Sequence, residues 1–80
     1  MNQKDHAIYK DFLIWAITYT LSESGEWRGK VNIMRKDGNK IRPFLLEKTI
    51  ETEEDAICRS LELGKLIIDG KVPGCHVEDI

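Results

Sequence analysis

The sequence predicts an α+β fold, a three-stranded antiparallel sheet with one C-terminal helix packed on one face, in the order β-β-β-α. Three observations carry the prediction. Trp27, Gly29, Val31 and Ile33 alternate with Arg28, Lys30, Asn32 and Met34, the period of a strand. Asp37-Gly38 then punctuates two strand-like runs, a strong hairpin signal. Finally, Thr52 opens an acid-led helical pattern that Gly70 and Pro73 close.

Residues 1–9 are polar and read as a loose lead-in. The run Phe12 to Leu21 is rich in β-branched and aromatic residues, which suit a pleated surface, and predicts the first strand. A helix is the rival reading of such an apolar run, but Thr18-Tyr19-Thr20 and the missing caps favour the strand. Ser22 to Gly25 is a turn. The second strand spans Glu26 to Arg35, with Trp27, Val31 and Ile33 facing the helix because their alternation partners are polar. The third runs from Lys40 to about Lys48, and Pro43 within it predicts an edge or a bulge, since proline donates no ladder hydrogen bond.

The helix takes Thr52 as its N-cap, and Glu53, Glu54 and Asp55 complement the helix dipole in the first turn. Ala56, Ile57, Ser60, Leu61, Gly64, Ile67 and Ile68 recur at helical spacing and predict the buried face. Ser60 and Gly64 are small enough to let the helix axis lie close to the sheet. The tail from Cys75 to Ile80 predicts a short extended segment, and the ordered core is expected over residues 10–74 of a single domain.

Composition narrows the functional classes. Eighty residues support one small core. The longest apolar run, Phe12 to Ile17, has six residues, far short of the roughly 20 that span a bilayer. The polar start predicts a cytoplasmic protein with no membrane association. Cys58 and Cys75 lie far apart and predict free thiols in a reducing compartment. Cys58, beside the predicted core face of an acidic helix, reads as an inert small hydrophobe. Cys75-His76 has the wrong spacing for a zinc site, and there is no phosphate-loop motif. No metal, cofactor or catalytic residue is expected, and so small a core leaves little room for a pocket of several hundred cubic ångströms. The reading is therefore non-enzymatic.

Two features remain. The first predicted strand is apolar on both sides, with Phe12, Ile14 and Ala16 pointing one way and Leu13, Trp15, Ile17 and Tyr19 the other. One helix covers one face, so the second set needs another cover: the N-terminal arm (Ile8, Tyr9), the tail (Val77, Ile80), a second copy of the chain, or a ligand. The second feature is charge asymmetry within a net charge of −2. Residues 28–48 hold seven basic residues against Asp37 and Glu47, whereas residues 49–69 hold six acidic residues against Arg59 and Lys65. Arg28, Lys30, Arg35, Lys36, Lys40 and Arg42 are thus candidate nucleic-acid contacts on a sheet face. The competing reading is that these charges keep strand edges soluble.

The runs Trp27 to Ile33, Pro43-Phe44, Thr52 to Ile57 and Gly64 to Gly74 together resemble a family of small uncharacterised bacterial proteins. That family pairs a Trp-x-Gly-x-Val-x-Ile strand with a threonine-capped helix ending Gly-x-x-Ile-Ile-Asp-Gly. The resemblance covers residues 10–76 and implies a fold but no activity. In element order the chain is also similar to the plant ethylene-response-type DNA-binding domain and to phage integrase arm-binding domains, whose sheets read DNA. It departs from both in its acidic balance and its sparse arginines on the third strand. The expected function is an accessory or protein-interaction module, with a homodimer through Leu13, Trp15, Ile17 and Tyr19 as one form of it. The alternatives are a sheet-face nucleic-acid binder and a subunit of an unidentified enzyme complex.

Overall fold

The computed structural model describes residues 5–21, 23 and 25–77. It is an α+β fold with one antiparallel sheet and one helix across it, but the sheet has four strands rather than the expected three. The strands are β1 (His6–Tyr9), β2 (Phe12–Thr20), β3 (Trp27–Arg35) and β4 (Ile41–Leu45), and the helix is α1 (Glu53–Ile68). The sheet is a simple meander in the order β1-β2-β3-β4.

The additional strand corrects the reading of residues 1–9 as a lead-in. Tyr9 pairs with Phe12 across a two-residue turn, and Lys10 and Asp11 take left-handed φ of 46° and 68°. Two consecutive positive φ values define a hairpin turn of the kind that favours Asn-Gly. Lys-Asp carries no such signal, so the turn was invisible in the sequence.

A clamp holds this turn. Tyr9 donates its hydroxyl hydrogen to Asp69 at 2.8 Å, and the Lys10 ammonium donates to the other oxygen of the same carboxylate. Lys10 and Lys65 also stand 5.4 and 5.8 Å from the centre of the Tyr9 ring. Asp69 is the C-cap of α1, so the sheet edge is tied to the helix end. The hydrogen bonds from Lys10 and then Tyr9 hold the Asp69 carboxyl below its ordinary value. The bond to Asp69 raises both the Lys10 ammonium and the Tyr9 phenol above theirs.

β2 and β3 pair along their whole length, from Phe12 opposite Arg35 to Thr20 opposite Trp27. β4 continues from Met34 opposite Ile41 to Lys30 opposite Leu45. After Leu46, whose N–H reaches the Gly29 carbonyl at 2.9 Å, pairing lapses until Trp27 and Ile50 exchange two 2.7 Å hydrogen bonds. The predicted third strand, to Lys48, therefore ends three residues early.

α1 begins where expected, with the Thr52 hydroxyl accepting from the Asp55 N–H at 3.2 Å. It ends in a Schellman motif: Gly70, at φ 74°, donates to Ile67, and Lys71 donates to Leu66. Pro73 and Gly74 (φ 79°) make the following turn, closed by Cys75 donating to Val72. The chain then returns Val77 to the core at 5% exposure, so the core extends past the expected limit of residue 74.

Ile14, Val31, Ile33 and Ile67 are fully buried and form the centre of that core with Phe12. The helix contributes Ala56, Ile57, Ser60, Gly64 and Ile67, all on the predicted face. It approaches the sheet at two glycines. A Cβ on Gly29 would lie 2.3 Å from Ser60 Oγ and 2.7 Å from Leu46 Cδ1; one on Gly64 would lie 2.9 Å from Val31 Cγ2. Ser60 Oγ is itself buried with no hydrogen-bond partner among the described residues.

Four outcomes follow for stability. Gly29→Ala should cost about 2–3 kcal/mol through overpacking, measured by urea unfolding. Gly64→Ala should cost less, because about 1 kcal/mol of helix propensity offsets its overlap. Ser60→Ala, which removes an unpartnered hydroxyl, should stabilise by about 1 kcal/mol. For the clamp, a carboxyl lowered on folding stabilises above its unfolded value near 3.8 and ceases to as pH falls through the folded value. The alkaline side has the opposite sign: groups raised on folding contribute fully below about 10 and less as they deprotonate. The stability gap between wild type and Asp69→Asn should thus be flat near neutrality and shrink in acid and in alkali. A gap that stayed constant to pH 2 would show that the carboxylate contributes no such stabilisation.

Candidate functional site

Strand alternation divides the sheet residues between two faces. The registers place Ala7, Ile14, Ile33 and Arg42 across one line, under α1, and His6, Trp15, Asn32 and Pro43 across the next, on the other side. β2 therefore presents Leu13, Trp15, Ile17 and Tyr19 together on the face away from the helix, the set the sequence singled out. Its other side, Phe12, Ile14 and Ala16, is buried under α1.

The neighbouring strands widen this apolar stripe. Ile8 lies opposite Leu13, Met34 lies on its other side, and Ile41 follows Met34. Leu45 lies opposite Lys30. Ile8, Ile17, Tyr19, Ile41 and Leu45 are 66, 39, 46, 52 and 55% exposed, so the described chain does not cover the face. The expected covers go elsewhere. Ile8 joins the open face as part of β1, Tyr9 turns to the clamp, and Val77 joins the core. Ile80 lies outside the described residues.

The polar positions on this face are Arg28, Lys30, Asn32 and His6. Arg28 lies opposite Tyr19 and Lys30 opposite Ile17, which gathers two cations at one end of the stripe. Arg28 also reaches the Leu46 carbonyl at 3.5 Å. No strand position on the face carries a carboxylate. The acidic residues at the start of α1 are on the opposite layer. Asn32, between Trp15 and Pro43, is 8% exposed and marks the tightly packed centre.

The six candidate nucleic-acid contacts do not form one surface. Arg28 and Lys30 share the open face. Arg35 and Arg42 fall on the helix side by register, and the Arg35 guanidinium stacks 4.9 Å from the centre of the Phe12 ring. Lys36 and Lys40 flank the turn between β3 and β4. Sequence alternation separated 28 and 30 from 35 by parity, but the charge count summed across faces.

The edges of the sheet are less available than its face. Leu46 donates to Gly29, so by ladder alternation the residues at 41, 43 and 45 direct their backbone nitrogens outward. Pro43 stands at the middle of these and has no N–H to offer an added strand. β1, with four residues, is a short edge.

A groove of about 530 Å³ opens between β4 and the C-terminal half of α1, lined by Phe44, Leu46, Leu63, Ile67, Val72 and Cys75. It corrects the expectation that so small a core leaves little room for such a space. The groove forms because α1 packs mainly on β2 and β3 and runs toward β1, leaving β4 at its flank. A second cleft of about 460 Å³ lies among Asp11, Arg35, Lys36 and Asp37. Cys58 is exposed on α1 rather than set against the core. Among the described residues no group of three or more His, Cys, Asp or Glu side chains is placed to hold a metal ion, and no helix is long and apolar enough to cross a membrane.

No protein-family model matches the chain, and no curated protein or solved structure is significantly similar to it.

The two faces make separable predictions for stability. Ile33→Ala, on the buried side, should cost about 3–4 kcal/mol. Ile17→Lys and Leu45→Lys, on the open side, should change the unfolding free energy by less than about 1 kcal/mol. Urea titration followed by far-UV circular dichroism distinguishes them, and comparable losses at all three sites would contradict the assignment of faces.

Proposed function

We propose that the protein is a non-enzymatic interaction module that docks onto another protein through the open face of its sheet. The observation that carries the reading is the apolar stripe Leu13, Trp15, Ile17 and Tyr19, continued by exposed side chains on β1 and β4. An antiparallel sheet that keeps one face in water normally makes that face polar. The two nine-residue central strands span roughly 30 Å, and with the shorter β1 and β4 the face measures roughly 430 Å², about half of what one partner contributes to a standard interface. Its residue types also fit: Trp15, Tyr19, Met34 and Arg28 belong to the classes enriched in protein interfaces and their energetic centres.

Nucleic acid is the weaker reading. Interfaces with DNA are polar and strongly basic, whereas this face has two cations among mostly apolar side chains.

A photo-crosslinking amino acid placed at Ile17 or Leu45 tests the reading in cells, with Glu62 on the exposed side of α1 as the control site. The expected result is discrete protein adducts from the two sheet positions alone, abolished by Trp15→Lys in a chain that still folds. Equal adducts from Glu62, or adducts to nucleic acid in place of protein, would overturn it.

A further inference from the structure

We infer that the occupant of the open face is an acidic amphipathic helix of another protein, lying along β2. The inference rests on the docking function proposed above and adds the chemistry of the partner. Three features of the face select it.

The first is shape. Leu13 to Tyr19 is a straight stripe about 20 Å long, which matches about 13 residues of α-helix. A helix presents anchors at i, i+4, i+7 and i+11 along such a line. The fold already uses this solution on its other side, where α1 lies across β2 and β3. A second helix would complete a three-layer arrangement.

The second is charge. The apolar stripe is bordered by Arg28 and Lys30, and the carboxylates that flank the strands on this side are already engaged, Glu26 accepting from Thr49 at 3.0 Å and Asp5 facing His6 at 3.2 Å. Lys30 makes no ion pair with the described residues. A partner with carboxylates flanking its apolar anchors satisfies these cations at the rim. A second copy of the same face does so less well, because the carboxylates that flank its strands, Glu26 and Asp5, are already engaged by Thr49 and His6. Nucleic acid would satisfy the cations but leave the apolar stripe unmatched.

The third is the blocked edge. Pro43 removes the central outward donor of β4 and β1 is short, so strand addition is disfavoured and recognition falls to side chains on the face.

The test is a display selection from a library of four-turn helices. Leucines are fixed at the four anchor positions, and the flanking positions are drawn from Glu, Lys and Gln. The baits are the wild-type protein, Ile17→Lys, Lys30→Glu, and the double variant Arg28→Glu with Lys30→Glu, each checked for native unfolding cooperativity. On wild type the selected helices should favour Glu over Lys at the flanks by about tenfold, with binding that weakens as salt rises. Ile17→Lys should abolish enrichment. Lys30→Glu should remove the Glu preference, and the double variant should reverse it. Equal recovery of Glu and Lys helices, or no enrichment of any helix, would overturn the inference.

Two parallel measurements separate that failure from failure of the docking function. Sedimentation of a concentration series would reveal a wild-type dimer lost in Ile17→Lys, which would keep the docking face and make its occupant a second copy. Fluorescence titration of a Trp27→Phe chain, which keeps Trp15 as its one tryptophan, with a thymidine oligonucleotide would identify nucleic acid instead, and would overturn both.

Discussion

The close approach of α1 to the sheet is the constraint on which the rest of the structure depends. The backbone of β3 at Gly29 meets Ser60 and Ala56, and one helical turn further on Gly64 meets Val31 and Ile14. With so little space, the helix can seat only its small-residue face, and its axis is fixed over β2 and β3. This brings Ile14, Val31, Ile33 and Ile67 into one fully buried cluster. In an 80-residue chain that cluster is most of the available core. Among the described residues there is therefore no second apolar layer to cover the other side of the sheet.

That shortage connects packing to function. β2 is apolar on both sides, and the described residues bury one of them under α1. The termini, the natural candidates for the second cover, are used elsewhere among the described residues. β1 lengthens the sheet and anchors Tyr9 and Lys10 to the end of the helix, while the segment after α1 folds back to place Val77 in the core. Each of these strengthens the helix-bearing side and leaves the opposite side open. A surface rich in Trp, Tyr, Met and aliphatic side chains is costly to keep in water, and that cost is what supports the docking function proposed above.

The charge distribution has a similar origin. The acidic first turn of α1 stabilises the helix through its dipole and the Thr52 cap, and the layer order places those carboxylates far from the open face. The cations of β3 and β4 are not a single patch. Alternation sends Arg28 and Lys30 to one side and Arg35 and Arg42 to the other, where the Phe12 ring receives Arg35. Net charge along the sequence was thus a poor guide to surface potential, because a strand distributes consecutive charges between two environments.

The elements built from local signals were legible in the sequence. The helix start at Thr52, its buried face through Ser60 and Gly64, the stop at Gly70, and the alternation of β2 and β3 all depend on residues near one another in the chain. Pairing Leu13, Trp15, Ile17 and Tyr19 on one face needed only the period of two. β1 was not legible, because its turn uses Lys10 and Asp11 where the usual signal is Asn-Gly, and because four residues carry little pattern. The Tyr9–Lys10–Asp69 clamp joins groups about sixty positions apart, and the groove beside β4 arises from the path of α1 over β2 and β3 toward β1. Which cations share a face, where the termini go, and which side of β2 stays open were all decided by tertiary structure, since each depends on strand register and on the depth to which two glycines admit the helix.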